Sequence, residues 1–380
     1  MALLTRVLVL NAGSSSLKAS VIEVGRLEPL AATQVGWGSD ATRVVDRRST
    51  VEHALAALWG SVEPASVASA GHRIVHGGAR FRQPMQVDDA VLGELDGIAG
   101  LAPLHNEVAL ETLRAQRALL PGLPAVAVFD TGFHASLQDE AFVYPLPWHW
   151  YAEWGIRRFG FHGLSVAWSV RRAGELLGRD PAALGLIVAH LGSGCSVTAV
   201  DGERSVSTSM GLTPLEGLAM GTRAGSVDPG ILLHVLRERG ITADELAETL
   251  DHGSGLLGIS GVSGDVRELT AAAANGSTRA RLALDIFVRR AAEGIAAAAV
   301  ALPRLDSLVF TGGIGEHAAD IRAAICARLA VLGVWGVESA TVAEDAILTP
   351  PGAGITILRV EAREDIVIAE ATAALLPGGQ

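Results

Sequence analysis

The sequence predicts an α/β fold built from two duplicated halves, and three stretches carry that prediction. Val7 to Leu10 is an apolar run that reads as a buried strand. Asn11 to Ser16 (NAGSSS) reads as a tight polar turn, and Leu17 to Val24 resumes as the next strand. Leu186 to Val200 (LIVAHLGSGCSVTAV) repeats the design, with His190 in the place of Asn11 and Gly192 in that of Gly13. A third strand-to-glycine element follows at Leu308 to Glu316 (LVFTGGIGE). Repetition on this scale points to duplicated units, and 380 residues suffice for two domains with substantial cores.

A turn of small residues lets backbone N–H groups approach a ligand closely, which suits phosphate; the same turn also suits a plain β-hairpin. Composition narrows the classes. The hydrophobic fraction is 49%, much of it alanine, and mean hydropathy is +0.35. No uninterrupted apolar run nears the ~20 residues of a membrane span, and the first residues lack the layout of a signal peptide. A net charge of −11 makes nucleic acid and anionic membrane surfaces poor partners. Two lone cysteines, Cys195 and Cys326, offer no disulfide framework, so a reducing cytoplasm is expected. Lys18 is the one lysine in the chain. The Gly-Lys-Ser/Thr of a P-loop is absent, which excludes that class of ATPase. Lys18 stands in the first polar turn region, where a compact point charge serves a phosphate.

Taken in order, a third strand lies near Ala31 to Gly36 and a helix near Val51 to Trp59. Ala68 to Gly78 (ASAGHRIVHGG) is a strand ending in Arg73, His76 and two glycines. An arginine there fits an anion site, because its planar fork meets a carboxylate or phosphate bidentately; it also fits an ordinary surface position. Leu101 to Asn106 (LAPLHN) opens a helix whose Val108, Leu110 and Leu113 face a core. Ala125 to His134 (AVAVFDTGFH) is a buried strand delivering Asp130 at its C-terminal end, where open α/β sheets place functional groups; a turn or cap role is the alternative. Further on, helices are expected over Ser165–Leu177, after the N-cap Asp228 with Pro229, after the capping box of Thr242 and Glu245, and over Ser277–Leu302. Gly312-Gly313 is expected as a turn before a helix starting near Glu316, suited to nucleotide phosphate or ribose. A last strand at Ala353–Val360 and a helix at Asp365–Leu376 close the chain.

The paired strand–turn–strand halves and the late glycine turn resemble the actin/Hsp70/sugar-kinase superfamily. The motifs together resemble, nearly end to end, the acetate kinase family: VLVLNAGSSSLK, GHRIVHGG, LAPLHN, VFDTGFH, RRFGFHG (157–163), HLGSG (190–194), SMGLTPLEGLAMGTRAG (209–225), GVSGDVRE (261–268) and FTGGIGE (310–316). The resemblance implies two actin-like (ribonuclease H-like) domains with a nucleotide cleft between them. The first would span 1–145 plus a returning C-terminal helix at 362–380. The second would span 146–361, bind nucleotide and serve dimerisation. It implies reversible transfer of the ATP γ-phosphoryl group to acetate, giving acetyl phosphate and ADP, with Mg²⁺ (or Mn²⁺) and a homodimeric enzyme. Propionate kinase is the near alternative and butyrate kinase a more distant one. A nucleotide-binding regulatory protein of the same fold is the alternative from another class. By resemblance, Arg73 and Arg223 hold the substrate carboxylate and the transferring phosphoryl oxygens, His162 donates a hydrogen bond to the transition state, and His105 stands nearby. Asp130 is the family's acid/base position; a carboxylate nucleophile needs no base, so orienting Arg73 or the magnesium shell is the physical reading. Val75, Leu104 and Pro214 line a small apolar acyl pocket, and Asn11 and Glu364 help hold Mg²⁺. Lys18, His190, Gly192, Ser193 and Gly194, with Asp265, Val266 and Arg267, and Gly313, Ile314, Gly315, Glu316 and His317, contact the nucleotide. Each of His105, His162 and His190 also suits a satisfied structural histidine.

The chain departs from the family pattern at several places. Ser193 and His317 stand where asparagines are usual, and Gly132 replaces an alanine. HGLSV (162–166) replaces HGTSH, Arg363-Glu364-Asp365 replaces Asn-Glu-Glu, and the stretch from Gly36 to Val51 is short. These departures concentrate on the phosphate and adenine side, where the donor could be ATP, another nucleotide or pyrophosphate.

Overall fold

The computed structural model describes residues 5–13, 16–37, 47–335, 337 and 342–376. They fall into two compact units. The first comprises 1–135, 161–164 and 363–380, and the second 136–160 and 165–362. The segment 161–164 therefore groups with the first unit, although the expected boundary assigned it to the second domain.

The first unit is organised on a six-stranded sheet. Its strands are β1 (Arg6–Ala12), β2 (Ser16–Glu23), β3 (Ala31–Gly36), β4 (Ser69–Ile74), β5 (Met85–Gln86) and β6 (Ala125–Phe129), in the order β3-β2-β1-β4-β6-β5. The parallel trio β1, β4 and β6 forms the middle, with antiparallel neighbours on both sides. Alternation along β1 explains why both faces are covered. Leu8, Leu10 and Ala12 join one core with the helices Arg47–Trp59 and Pro103–Leu119, while Val7 and Val9 pack with Ile368 and Ala369 of the helix Glu364–Ala373. The expected face of the Pro103 helix holds: Leu110 and Leu113 are buried, and Val108 packs against them.

The second unit repeats the plan. Strands β7 (Gly185–Leu191), β8 (Cys195–Asp201), β9 (Arg204–Thr208), β10 (Ser307–Thr311), β11 (Ala346–Ile347) and β12 (Thr356–Arg359) lie in the order β11-β12-β10-β7-β8-β9. Position for position this is the first sheet again, with β7, β10 and β12 as the parallel trio. The predicted repeat is therefore a duplication of the whole sheet. The 22-residue helix Thr278–Ala299 covers it, burying Ala283, Phe287, Ala291 and Ile295 at helical spacing. Asp228 caps the helix Pro229–Glu238, and Thr242 and Glu245 form the capping box of Ala243–His252, both as read from sequence.

Three elements differ from expectation. β1 runs on through Asn11, which pairs with Lys18 in β2, so Asn11 is a strand residue and only Gly13–Ser15 remain between the strands. The last strand is shorter, Thr356–Arg359. Gly312 and Gly313 are not a turn ahead of a helix: they are its first two residues, Gly312–His317, with a second helix starting at Ala319. Gly312 has φ +77°, and a Cβ there would crowd the Leu191 carbonyl, so glycine alone lets the chain bend this tightly off β10.

Candidate active site

In the first unit the carboxyl ends of three adjacent parallel strands deliver polar residues to one cluster, where open α/β sheets generate their sites. β1 supplies Asn11, β4 supplies Arg73, and Asp130 follows directly on β6. The returning helix adds Glu364 at its first position. Arg73 Nε donates to both Asp130 oxygens at 3.0 and 3.1 Å, and Nη2 donates to Oδ2 at 2.5 Å. Nη1 also reaches Asn11 Oδ1 at 3.4 Å, while Asn11 Nδ2 donates to Glu364 Oε2 at 2.8 Å. Asp130 is fully buried, and that burial lifts its carboxyl to about 6 against the opposing pull of Arg73. Burial works against the Arg73 charge as well, but Asp130 and Glu364 hold the guanidinium above the usual arginine range. The fork is thus fixed, charged and oriented by Asp130.

Asp130 also gathers His162. The His162 backbone N–H donates to the Asp130 carboxylate, and the Gly163 N–H donates to its carbonyl at 2.9 Å. His162 has φ +59°, the one positive value at a non-glycine among the described residues. Backbone held in that region is costly and persists where surrounding contacts impose it. Gly163 has no room for a side chain against the same carbonyl. His105 stands in the first turn of the Pro103 helix, half-buried, and the next residue, Asn106, bonds the main chain of His76 in both directions. Val75 is buried behind β4. Lys18 is exposed on β2, opposite Asn11 in register. The side chain of Leu104 lies outside the described part of the chain.

The second unit brings four glycine-bearing segments together. His190, at the end of β7, has Nδ1 within 2.9 Å of Ser165 Oγ. The Gly192–Gly194 turn closes through Gly192 N–H to Gly194 O at 3.0 Å. A Cβ on Gly192 would stand 3.9 Å from Gly313 N, so this turn meets the start of the Gly312 helix. The Ser193 carbonyl accepts from Gly221 N–H at 3.3 Å, and Gly221 in turn packs on Gly264. Arg223, two residues on, donates from Nη1 to the Pro214 carbonyl at 2.9 Å. Its turn is pinned from behind by Gly255 at φ +59°, where any side chain would overlap the Met220 carbonyl. Glycines at these approaches keep the main chain of the Gly192–Gly194 turn and the Gly312 helix clear of side chains, so that a phosphate could come close.

Several residues expected at the nucleotide have structural partners of their own. Val266 is buried in its helix, and Asp265 caps that helix while pairing with the exposed Arg267. Glu316 is buried, its Oε1 accepting from Ala362 N–H at 3.0 Å and its Oε2 lying 3.8 Å from Arg359. Arg322, also buried, donates to the Gly315 and Glu316 carbonyls at 2.9 and 2.8 Å. Sequence reading missed Arg322 and Arg359 as supports of the Gly312 helix. The available signal was an arginine inside otherwise apolar runs, as in TILRV.

Known proteins agree with this layout. The acetokinase family model matches residues 6–370. An acetate kinase of Synechococcus sp. (strain JA-2-3B'a(2-13)) is 44% identical over 98% of this chain and 99% of its own. A solved acetate kinase of Porphyromonas gingivalis superposes with a TM-score of 0.88 at 33% identity, covering 98% of this chain and 100% of that one. A solved propionate kinase of Francisella tularensis gives 0.87 at 34%, covering 97% and 98%. With the family model matched over nearly the whole chain and a relative 44% identical end to end, the chain belongs to the acetokinase family.

Proposed function

We propose that this chain catalyses reversible phosphoryl transfer between ATP and acetate, giving acetyl phosphate and ADP, in the cytoplasm. The observation that carries the reading is the fixed guanidinium of Arg73, oriented by buried Asp130 within reach of Asn11 and Glu364. Carboxylate and γ-phosphoryl repel each other, so the protein's task is charge neutralisation and alignment rather than base catalysis. Arg73 and Arg223 neutralise the carboxylate and the equatorial phosphoryl oxygens, and the His162 side chain donates to the charge that develops in flight. Asp130 is engaged by Arg73 and the His162 backbone, which makes it an orienting group. The Gly192–Gly194 turn and the Gly312 helix take the phosphate chain and nucleoside; their retention favours a nucleotide over pyrophosphate despite Ser193 and His317.

Asn11 and Glu364 offer an amide oxygen and a carboxylate, hard donors that fit Mg²⁺ or Mn²⁺. Among the described residues no three His, Cys, Asp or Glu side chains are grouped to hold a metal. The fit is therefore to an ion held mainly by phosphate oxygens and water, which would spread the negative charge between the phosphoryl groups. A homodimer is supported by the helix Pro229–Glu238, which exposes Ile231, Leu233 and Leu236. No described helix is long and apolar enough to cross a membrane. Propionate is the second reading, favoured by the likeness to the Francisella enzyme. Trapping the acyl phosphate as hydroxamate with acetate, propionate and butyrate tests the reaction and ranks the substrates. Acetate should give the highest kcat/KM, and no hydroxamate with any of the three would overturn the reading.

A further inference from the structure

The loop from Ser209 to Glu216 carries Pro214, and both of its ends are tied down. Ser209 exchanges bonds with Val197 of β8 through its N–H and Oγ, and Gly217 does so with Ser226. Between these anchors the loop is held by side chains from a distant stretch. Arg158 Nη1 donates to the carbonyls of Ser209 and Met210 at 3.0 and 2.9 Å, and Nη2 donates to Glu216 Oε1 at 2.7 Å. The Tyr144 hydroxyl donates to the other oxygen of Glu216 and accepts from Leu212 N–H at 3.2 Å. Glu216 is thus the hub of a three-residue brace. Gly211 passes so close beneath it that any side chain would overlap the Glu216 carboxylate and the Tyr144 hydroxyl.

Pro214 lies within the braced loop, and its carbonyl accepts from Arg223 Nη1 at 2.9 Å. A neutral carbonyl orients a guanidinium without cancelling its charge at that contact. The loop therefore aims the Arg223 guanidinium. Burial, then Glu216, push the Tyr144 phenol above its usual range, so it stays a donor.

We propose that Tyr144, Arg158 and Glu216 are positioning residues that set the aim of Arg223 and the place of Pro214. They thereby rank carboxylate substrates by chain length. The proposal rests on the reading of Arg223 and Pro214 as the carboxylate and acyl contacts. A loosened loop lowers affinity for the carboxylate and gives longer acyl chains more room, while leaving the Gly192–Gly194 turn and Gly312 helix untouched.

The test compares Tyr144→Phe, Glu216→Gln and Arg158→Met in the full chain, with Arg223→Ala as reference. Melting temperature, KM for ATP, KM for acetate and the propionate-to-acetate ratio of kcat/KM are measured for each. Tyr144→Phe should raise KM for acetate on the order of tenfold, the worth of a bond to a charged group. The propionate-to-acetate ratio should rise with it, while KM for ATP and the melting temperature stay near wild type. Glu216→Gln, which keeps one acceptor oxygen and replaces the other with an amide donor, should fall between wild type and Arg158→Met. If Tyr144→Phe and Arg158→Met melt normally and leave KM for acetate and the ratio unchanged, the proposal is overturned. It is equally overturned if every constant declines in step with melting temperature, the mark of a plain structural role. An Arg223→Ala enzyme with wild-type KM for acetate and kcat would instead bring down the underlying reading of the site.

Discussion

Arg73 and Arg223, to which the proposed reaction assigns the same anionic chemistry, are held by different supports. Arg73 is paired with a carboxylate that has no access to water. Truncating it strands a buried charge, so Arg73→Ala should lower stability by about 3–5 kcal/mol as well as abolish most activity. Arg73→Lys should recover part of the stability, because an ammonium still faces Asp130, but little activity, because a point charge lacks the fork. Arg223 has a carbonyl as its partner at Pro214. Arg223→Ala should cost about 3–4 kcal/mol in kcat/KM. Thermal melts beside steady-state kinetics check both, and an active Arg223→Ala enzyme would refute the assignment. These residues were legible in the sequence because motif spacing names them. Their partners were less so. That Asp130 orients Arg73 followed from chemistry, but Tyr144, Arg158 and Glu216 become one unit only when segments far apart in the chain meet, which no local pattern announces.

At the scale of elements, the strands and capped helices were readable wherever local chemistry decides the outcome. Asp228 with Pro229 and the Thr242–Glu245 box fix helix starts through their own hydrogen bonds. The Gly312 helix was misplaced because its start depends on a neighbour, the Leu191 carbonyl, that leaves space only for glycine. The C-terminal helix is the element whose packing most directly bears on the site, since Glu364 opens it and Ile368 and Ala369 bury against Val7 and Val9. Gly71 of β4 is what lets it lie so close: a Cβ there would overlap Thr372 Oγ1 and come within 2.7 Å of Ile368 Cγ2. Gly71→Val should therefore push the helix off the sheet, at a cost of about 1–3 kcal/mol for overpacking. Glu364 should shift away from Asn11 with it. Hydrogen exchange should then rise in residues 364–373 while the β7–β12 sheet keeps its protection; unchanged exchange there would count against this coupling.

For the whole molecule, buried titratable groups set a pH window of stability. His72 and His134 are both fully enclosed, and burial lowers each from the usual 6.5 to about 4, against bonds to Gln116 and the Phe161 carbonyl. His72 Nδ1 has no hydrogen-bond partner, so nothing there rewards a second proton. Between pH 6.5 and 4 the unfolded chain binds protons that the folded chain refuses, so stability must fall as pH falls through that range. Each histidine contributes up to about 3 kcal/mol of this loss, at about 1.4 kcal/mol for each pH unit crossed between those two values. Asp130 opposes them in part, because its raised carboxyl takes up a proton near 6 in the folded state before the unfolded chain does. On the alkaline side Cys195 and Cys326 act in the same sense as the histidines do in acid. Burial pushes both thiols from 9.0 to about 12, so above pH 9 the unfolded chain loses protons that the folded chain keeps, and stability falls again. Denaturant unfolding across pH should show a plateau between roughly 6.5 and 9 with a decline on each side. His72→Gln and His134→Asn together should flatten the acid limb, and Cys195→Ala with Cys326→Ala the alkaline one. An acid limb of undiminished slope in the double histidine variant would assign it to the carboxylates instead.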